Sequence, residues 1–363
     1  MSAIFLVLDG MADYRIKTAA DLAAFFQADR EETAGGCFET CPKGFQPESM
    51  ACLLTLLGAA PEQIPRTGRA YLEALGAGFP MEKGSLVFRC NLVQVKDGRI
   101  LSPCAAGIVK NRREALTLLL SRCFPEDAAQ FCPLEDYKSL LALRASAGEE
   151  SKIQTSAPHD MAGRPVWEAL PKGAGAAGLL RSACLRMLEE TGGEFLLLPW
   201  GQSAEHELPS FAALHGVSPA AVCQTEIARG IALAMGMETP KLACATADTD
   251  TDLREKLEAA VFLSNTRPFV FVHVNGADEA AHRKSEQEKA AFLERMREEL
   301  VRPLLQKRGL KVLVTSDHAT LPETGKHAAW PQPFLLAGCG RKELGILPGT
   351  EAAGLLLKEK IDG

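Results

Sequence analysis

The chain has 363 residues, 47% hydrophobic and 24% charged, which is material for one large or two ordinary domains and excludes global disorder and fibrous architectures. A net charge of −6, with only the short basic clusters Lys110 to Arg113 and Lys307-Arg308, argues against nucleic acid as a partner. The apolar runs are far too short to span a bilayer, and no basic region precedes the first of them, so neither a membrane partner nor a signal peptide is expected. In chain order, Ala3 to Leu8 reads as a buried strand that must turn at Asp9-Gly10. Ser49 precedes a short apolar helix closed by Gly58, which is the place of a helix N-cap. Leu86 to Val95 reads as a strand, Asp97-Gly98 as a turn, Glu114 to Cys123 as a helix and Leu140 to Ala145 as a strand. A glycine- and alanine-rich stretch, Gly173 to Gly178, leads into a helix over Leu179 to Glu190, and Phe195 to Pro199 reads as a return to the main sheet. Phe269 to Val274 and Leu310 to Thr315 are strands followed by polar residues, with a long amphipathic helix, Glu286 to Leu305, between them, and Phe334 to Ala337 is a further strand.

Strands alternating with helices predict an α/β fold: a mostly parallel sheet with helices on both faces. The core is expected over 1–85 and 192–363, with an inserted α+β cap domain, the substrate domain, over 86–191. Eleven cysteines lie scattered without a Cys-x-x-Cys pair, and Cys52, Cys223 and Cys244 sit in apolar stretches. This reads as reduced, buried thiols of a cytoplasmic protein. No heptad pattern is sustained, so no oligomeric state is predicted.

In open α/β sheets ligands bind outside the carboxyl ends of the strands. Asp9, Asp278, His282, Asp317, His318 and His327 all fall at or after such ends. Asp278 and His282 are four apart, so one helical turn presents both on one face. Asp317-His318 are neighbours whose side chains diverge, so the pair can serve two ions. Mixed oxygen and imidazole donors suit divalent ions of the Zn, Mn or Fe type. Ser49 has two readings: a capping hydroxyl worth ~1 kcal/mol, or a nucleophile beside the free N–H groups of a helix start, where a phosphoryl anion is favoured. Local sequence alone favours the cap.

These residues occur in an order that resembles the alkaline phosphatase superfamily and, within it, the archaeal-type 2,3-bisphosphoglycerate-independent phosphoglycerate mutases. The resemblance runs nearly end to end. It is carried by Leu8-Asp9-Gly10-Met11-Ala12-Asp13, Thr67-Gly68-Arg69, Glu73 to Gly78, Phe88-Arg89-Cys90-Asn91, Asp248 to Leu253 and His273 to His282. It implies an alkaline-phosphatase-like core and a two-metal phosphotransferase that needs no 2,3-bisphosphoglycerate cofactor. Asp278, His282 and His327 would hold one divalent ion, and Asp9, Ser49, Asp317 and His318 the other, the ions being Mn, Mg or Zn. Ser49 would take the phosphate of a small anionic phosphoglycerate as phosphoserine and return it to the other hydroxyl of a reoriented glycerate. A cap would exclude water and retain the glycerate.

The donor set is complete, whereas the substrate side departs from the family pattern. Met50 follows Ser49 where the family carries Asp. The arginine-rich Asp-Arg-Arg-Ala-Gly-Arg stretch is replaced by Ser102 to Gly107, without a cation. An Asp-Pro-His becomes Ala157-Pro158-His159, a His-Arg pair becomes Tyr137-Lys138, the lysine of His-x-Lys-Gly becomes Asn275, and an Arg-Gly-Ala-Gly becomes Pro199-Trp200-Gly201-Gln202. Arg89, Asn91, Arg144 and His159 remain as substrate-contact candidates, with Lys138 or Arg164 as replacement cations. A phosphoglycerate carries about three negative charges at neutral pH, and each lost arginine removes charge-assisted hydrogen bonds worth ~1.5–3 kcal/mol. The alternative is therefore a metal-dependent hydrolase of another phosphate, phosphonate or sulfate ester. A cationic cap pocket favours the mutase; an apolar one, lined by residues such as Trp200 and Cys104, favours a different substrate.

Overall fold

In a computed structural model that describes residues 2–29, 32–134, 136–144 and 150–358, the first apolar run forms the strand Ser2–Leu8, with parallel partners on both sides. Its register sets Leu8 beside Val274 of Phe269–Val274 and Val7 beside Thr315 of Leu310–Thr315. Three strands therefore end together, and the residues that follow them emerge at one edge, the geometry that open α/β sheets use for ligands. The full sheet has seven strands in the order Pro219–Val222, Phe269–Val274, Ser2–Leu8, Leu310–Thr315, Gln332–Ala337, Thr33–Glu39, Lys342–Pro348. All neighbours are parallel except Gln332–Ala337, which runs against both of its partners.

A continuous apolar strand is expected when both faces are covered. Ile4, Leu6 and Leu8 share a buried cluster with Leu22 and Phe26 of Ala19–Phe26, Leu253 and Ala260 of Leu253–Ser264, and Phe292, Leu293 and Met296 of Glu286–Met296. On the opposite face Phe5 meets Phe269 and Phe271 edge-on, and Phe211 packs 4.3 Å from Phe269. The expected helix over Glu286 to Leu305 is present but not uniform. It is α-helical over Glu286–Met296, widens to a π-helical turn over Arg297–Val301, and closes as Arg302–Leu305. Pro303 has no N–H to donate, so the regular ladder cannot run through it.

The chain divides into two compact units, 1–64 with 208–363, and 65–207. The second has its own antiparallel sheet in the order Arg99–Ser102, Ser85–Lys96, Lys138–Arg144, Ala129–Pro133, with Phe195–Ser203 also paired to Ser85–Lys96. Ala145, the last residue expected in the Leu140 strand, lies outside the described residues. Lys110–Ser121 and Ala176–Glu190 cover one face of this sheet. Two expectations are corrected. Phe195 to Pro199 does not return to the main sheet, because it pairs from Phe195↔Gln94 to Pro199↔Cys90 within the second unit. The limits 86 and 191 also fall inside that unit. Ala70 and Ala74 of Arg69–Ala77 pack on Val87, Leu140 and Ala142, and the Tyr71 backbone N–H donates to Ser203 Oγ at 2.7 Å, so both flanks belong to its core.

None of the eleven cysteines, all of them among the described residues, is in a disulfide. Cys52 and Cys223 are buried as expected, but Cys244 is exposed, in a segment whose backbone N–H groups are drawn onto Glu255. Among the described residues no helix is long and apolar enough to cross a membrane.

Candidate metal centre

The turn after Ser2–Leu8 places Asp9 against two other acidic residues. Gly10 takes a positive φ of 63°, and a Cβ there would lie 2.8 Å from Asp278, so only glycine lets the two segments approach this closely. The Gly10 N–H donates to Asp317 Oδ1 at 3.3 Å, and the His318 N–H donates to the same oxygen at 2.9 Å. Asp9 Oδ1 and Asp317 Oδ2 each lie 3.4 Å from His318 Nε2. Both oxygens are buried and lack a hydrogen-bond partner. Burial, together with Asp317 and Asp278, drives the Asp9 carboxyl well above its usual range. Buried carboxylates left this way are costly without a compensating cation.

Asp278 and His282 lie on the helix Gly276–His282, as their spacing predicts, with His282 Nε2 3.2 Å from Asp278 Oδ2. His327 comes from the ribbon strand Lys326–Ala328, its Nε2 3.4 Å from Asp278 Oδ1 and 3.0 Å from His282 Nε2. The other ring nitrogens are committed: His282 Nδ1 to the Gly325 carbonyl at 2.9 Å and His327 Nδ1 to the Pro47 carbonyl at 2.6 Å. A carbonyl only accepts, so both Nδ1 atoms carry hydrogen and the two Nε2 atoms turn toward Asp278. Two imidazole nitrogens and a carboxylate converging this closely require a cation among them, a proton or a metal ion. Burial raises the Asp278 carboxyl, but His282 and His327 outweigh it and hold it well below the carboxylate range; burial lowers His282, and Asp278 outweighs that and lifts it.

Donor atoms of Asp9, Asp317 and His318 lie within 4.8 Å of one another, as do those of Asp278, His318 and His327. His318 thus reaches both groups. The unpartnered oxygens, the Nε2 atoms converging on Asp278 and the oxygen–nitrogen donor chemistry all fit two divalent cations.

Ser49 corrects the capping expectation. Glu48 occupies the N-cap, and Ser49 is the first residue of the helix Ser49–Leu56, all eight residues of which are buried. Its hydroxyl caps nothing and lies 3.4 Å from His318 Nε2. The structure thus gathers Asp9, Ser49, Asp278, His282, Asp317, His318 and His327 at one sheet edge.

Three residues of this centre were not singled out from sequence. His273, buried on Phe269–Val274, sets Nε2 3.1 Å from Asp9 Oδ2, and burial pushes its imidazole down to about 4. Thr320 donates to Asp278 Oδ1 at 2.6 Å. Lys289, fully buried, reaches the Thr320 carbonyl at 2.8 Å and Asp13 Oδ2 at 3.3 Å. Lys289 carried a readable signal: it occupies the apolar stripe of its helix with Phe292, Leu293 and Met296.

In the second unit, three of the four substrate-contact candidates gather at Trp200. Arg89 Nε pairs with the buried Glu73 at 2.9 Å, and its guanidinium lies 4.3 Å over the Trp200 ring. Trp200 Nε1–H donates to Asn91 Oδ1 at 3.0 Å, and Asn91 Nδ2 donates to the Pro103 carbonyl at 3.1 Å. The His159 ring stands edge-on to Trp200 at 5.8 Å. Lys138 faces Asn91 across the strand pair. Burial raises the Glu73 carboxyl, yet Arg89 and Arg69 outweigh it and hold it below its usual value. Arg144 is not part of this group. It lies opposite Ser85 and forms a two-pronged pair with Glu82 at 2.6 and 2.7 Å. Arg164, just before the helix Val166–Ala169, pairs with Glu168 of that helix at 3.8 Å.

An α/β core with a cluster of metal-type donors at the carboxyl edge of its parallel strands, carrying an inserted antiparallel unit, is the class that fold and site define. Residues 31–191 match the family 2,3-bisphosphoglycerate-independent phosphoglycerate mutase. A protein of that name from Methanosarcina acetivorans is 28% identical over 361 residues, covering 93% of this chain and 90% of its own. Two solved structures share the fold. One is the PH0037 protein of Pyrococcus horikoshii, with a TM-score of 0.75, 20% identity, and coverage of 100% of this chain and 99% of the other. The other is a cofactor-independent phosphoglycerate mutase from Thermoplasma acidophilum, with a TM-score of 0.58, 18% identity, and coverage of 98% and 99%. Over most of its length the chain is therefore similar to proteins named 2,3-bisphosphoglycerate-independent phosphoglycerate mutase.

Proposed function

We propose that the protein is a metal-dependent phosphotransferase that interconverts 2- and 3-phosphoglycerate through a phosphoserine at Ser49. The observation that carries this reading is the convergence of Ser49 with six carboxylate and imidazole donors at one sheet edge, in a chain whose relatives bear the mutase name. Asp278, His282 and His327 would hold one divalent ion (Mn, Mg or Zn) and Asp9, Ser49, Asp317 and His318 the other, supplying charge stabilisation at the phosphoryl oxygens and acidifying the serine hydroxyl.

The protein's own part is positioning. Ser49 is held at the start of a fully buried helix, so its oxygen has little freedom and its approach to phosphorus is pre-oriented. Attack forms the Ser49 Oγ–P bond and breaks the bond from phosphorus to the glycerate oxygen, the proton lost by Ser49 being taken up by that departing oxygen. In the return step the other glycerate hydroxyl takes the phosphoryl group and Ser49 recovers its proton. Backbone donors to Asp317, and the His273 contact to Asp9, fix the carboxylates while charge moves.

One observation favours a second reading, hydrolysis of a less charged ester. Arg89 is already paired with Glu73, and the Asn91 amide is bonded on both sides, so two of the substrate candidates are engaged within the second unit. Mass spectrometry of protein quenched during turnover separates nucleophile from bystander. Wild type mixed with 3-phosphoglycerate should show a phosphorylated Ser49 peptide. Ser49→Ala should lose turnover by at least about a thousandfold while still taking up metal. Turnover retained in Ser49→Ala would contradict the phosphoserine route.

A further inference from the structure

We infer that Thr320 is a positioning residue that fixes the orientation of His318 and ties the two donor groups into one unit, an inference that rests on the phosphotransferase reading above. Thr320 is fully buried on the short strand Ala319–Leu321. Its hydroxyl oxygen lies 2.6 Å from Asp278 Oδ1 and 3.2 Å from His318 Nδ1. The hydroxyl has one hydrogen, and an ionised carboxylate only accepts, so that hydrogen goes to Asp278. The oxygen can then only accept from His318, which puts the ring hydrogen on Nδ1. The His318 Nε2 lone pair is left facing Asp9 Oδ1, Asp317 Oδ2 and Ser49 Oγ, each at 3.4 Å.

One hydroxyl thus joins an aspartate of the first donor group to the histidine of the second. His282 and His327 reach the same state through backbone carbonyls; His318 has Thr320 in that role. The threonine itself has little freedom to move. Its N–H donates to the Ala12 carbonyl at 3.1 Å, and its own carbonyl accepts from the buried Lys289, which also pairs with Asp13. Lys289 therefore bears on the centre through Thr320 without being a donor to it. Partners that orient a ligand in this way typically change metal affinity by about 10–100-fold when removed.

The test compares wild type, Thr320→Val, which keeps the shape and loses the hydroxyl, and Thr320→Ser, which keeps it. Nitrogen-resolved NMR of the histidine rings reports which nitrogen of His318 carries hydrogen, in metal-free protein and after Zn2+ addition, and calorimetry reports Zn2+ affinity. The inference expects Nδ1–H in wild type and Thr320→Ser. It expects a mixed or reversed tautomer in Thr320→Val, with Zn2+ affinity reduced about 10–100-fold. Nε2–H in metal-free wild type would overturn it without any variant. So would a Thr320→Val protein with the wild-type tautomer and wild-type affinity. A wild type that takes up no Zn2+ would instead count against the two-ion reading, while the metal-free tautomer would still decide the role of Thr320.

Discussion

The donor cluster of the first unit and the polar cluster around Trp200 in the second have diverged in opposite ways. In the first, every donor that the resemblance implies is present, and the donors converge with unpartnered oxygens and with imidazole Nε2 atoms turned toward Asp278. In the second, Arg89 is tied to Glu73 and stacked on an indole, while Arg144 and Arg164 pair with other carboxylates. The difference is physical. A cluster of buried acids with imidazoles tolerates little substitution, since loss of one member leaves the others uncompensated. A surface cation outside such a cluster can be exchanged for an aromatic ring and the unit still folds. The metal-type donors and the Trp200 cluster thus belong to different units of the chain.

The largest test of that contrast removes a donor. Asp278→Ala and Asp317→Ala should each lose metal ions on dialysis, with turnover falling to background, as read by metal analysis of the dialysed protein. Full metal content and full turnover in either would mean the cluster is only structural. A smaller effect is expected from the second unit. Trp200→Ala removes the ring under Arg89 and the donor to Asn91, contacts worth ~0.5–1 kcal/mol at exposed sites. KM should rise about two- to fivefold with little change in kcat, as steady-state kinetics will report. A fall in kcat with KM unchanged would move Trp200 into the chemistry. The smallest effect concerns acid stability. Arg89 and Arg69 hold the Glu73 carboxyl below its unfolded value, so its stabilisation is complete above about pH 4.3 and is lost as the pH falls through the lower, folded value. In thermal melts, the advantage of wild type over Glu73→Gln should therefore shrink on acidification below that point. An advantage that grows there would mean that burial, and not the arginines, controls the group.

Much of the first unit was legible because its code is local. Apolar runs ended by polar residues mark Ser2–Leu8, Phe269–Val274 and Leu310–Thr315, and the residues that follow those strands make up most of the centre. The i, i+4 spacing of Asp278 and His282 also carries through to a shared helix face. What was not legible depended on pairing between distant segments. Phe195–Ser203 has the composition of a core strand, and nothing local says which sheet it joins. Ser49 reads as a cap because the residue before a helix and the first residue within it differ by one position, and only the backbone decides. His273 lies inside a strand and reads as part of it, yet its ring reaches Asp9. Arg144, a substrate-contact candidate from sequence, lies opposite Ser85 and pairs with Glu82, a choice made by sheet register.

The most direct test of the account is phosphorus NMR of manganese-loaded protein mixed with 3-phosphoglycerate. The account predicts that the signal of 2-phosphoglycerate appears and grows to equilibrium without inorganic phosphate, which would mean that Arg89, Lys138 and their neighbours grip the substrate in place of the missing arginines. Release of inorganic phosphate alone would contradict it by making the protein a hydrolase of this ester, and an unchanged spectrum with metal bound would contradict it by assigning the centre to a different ester.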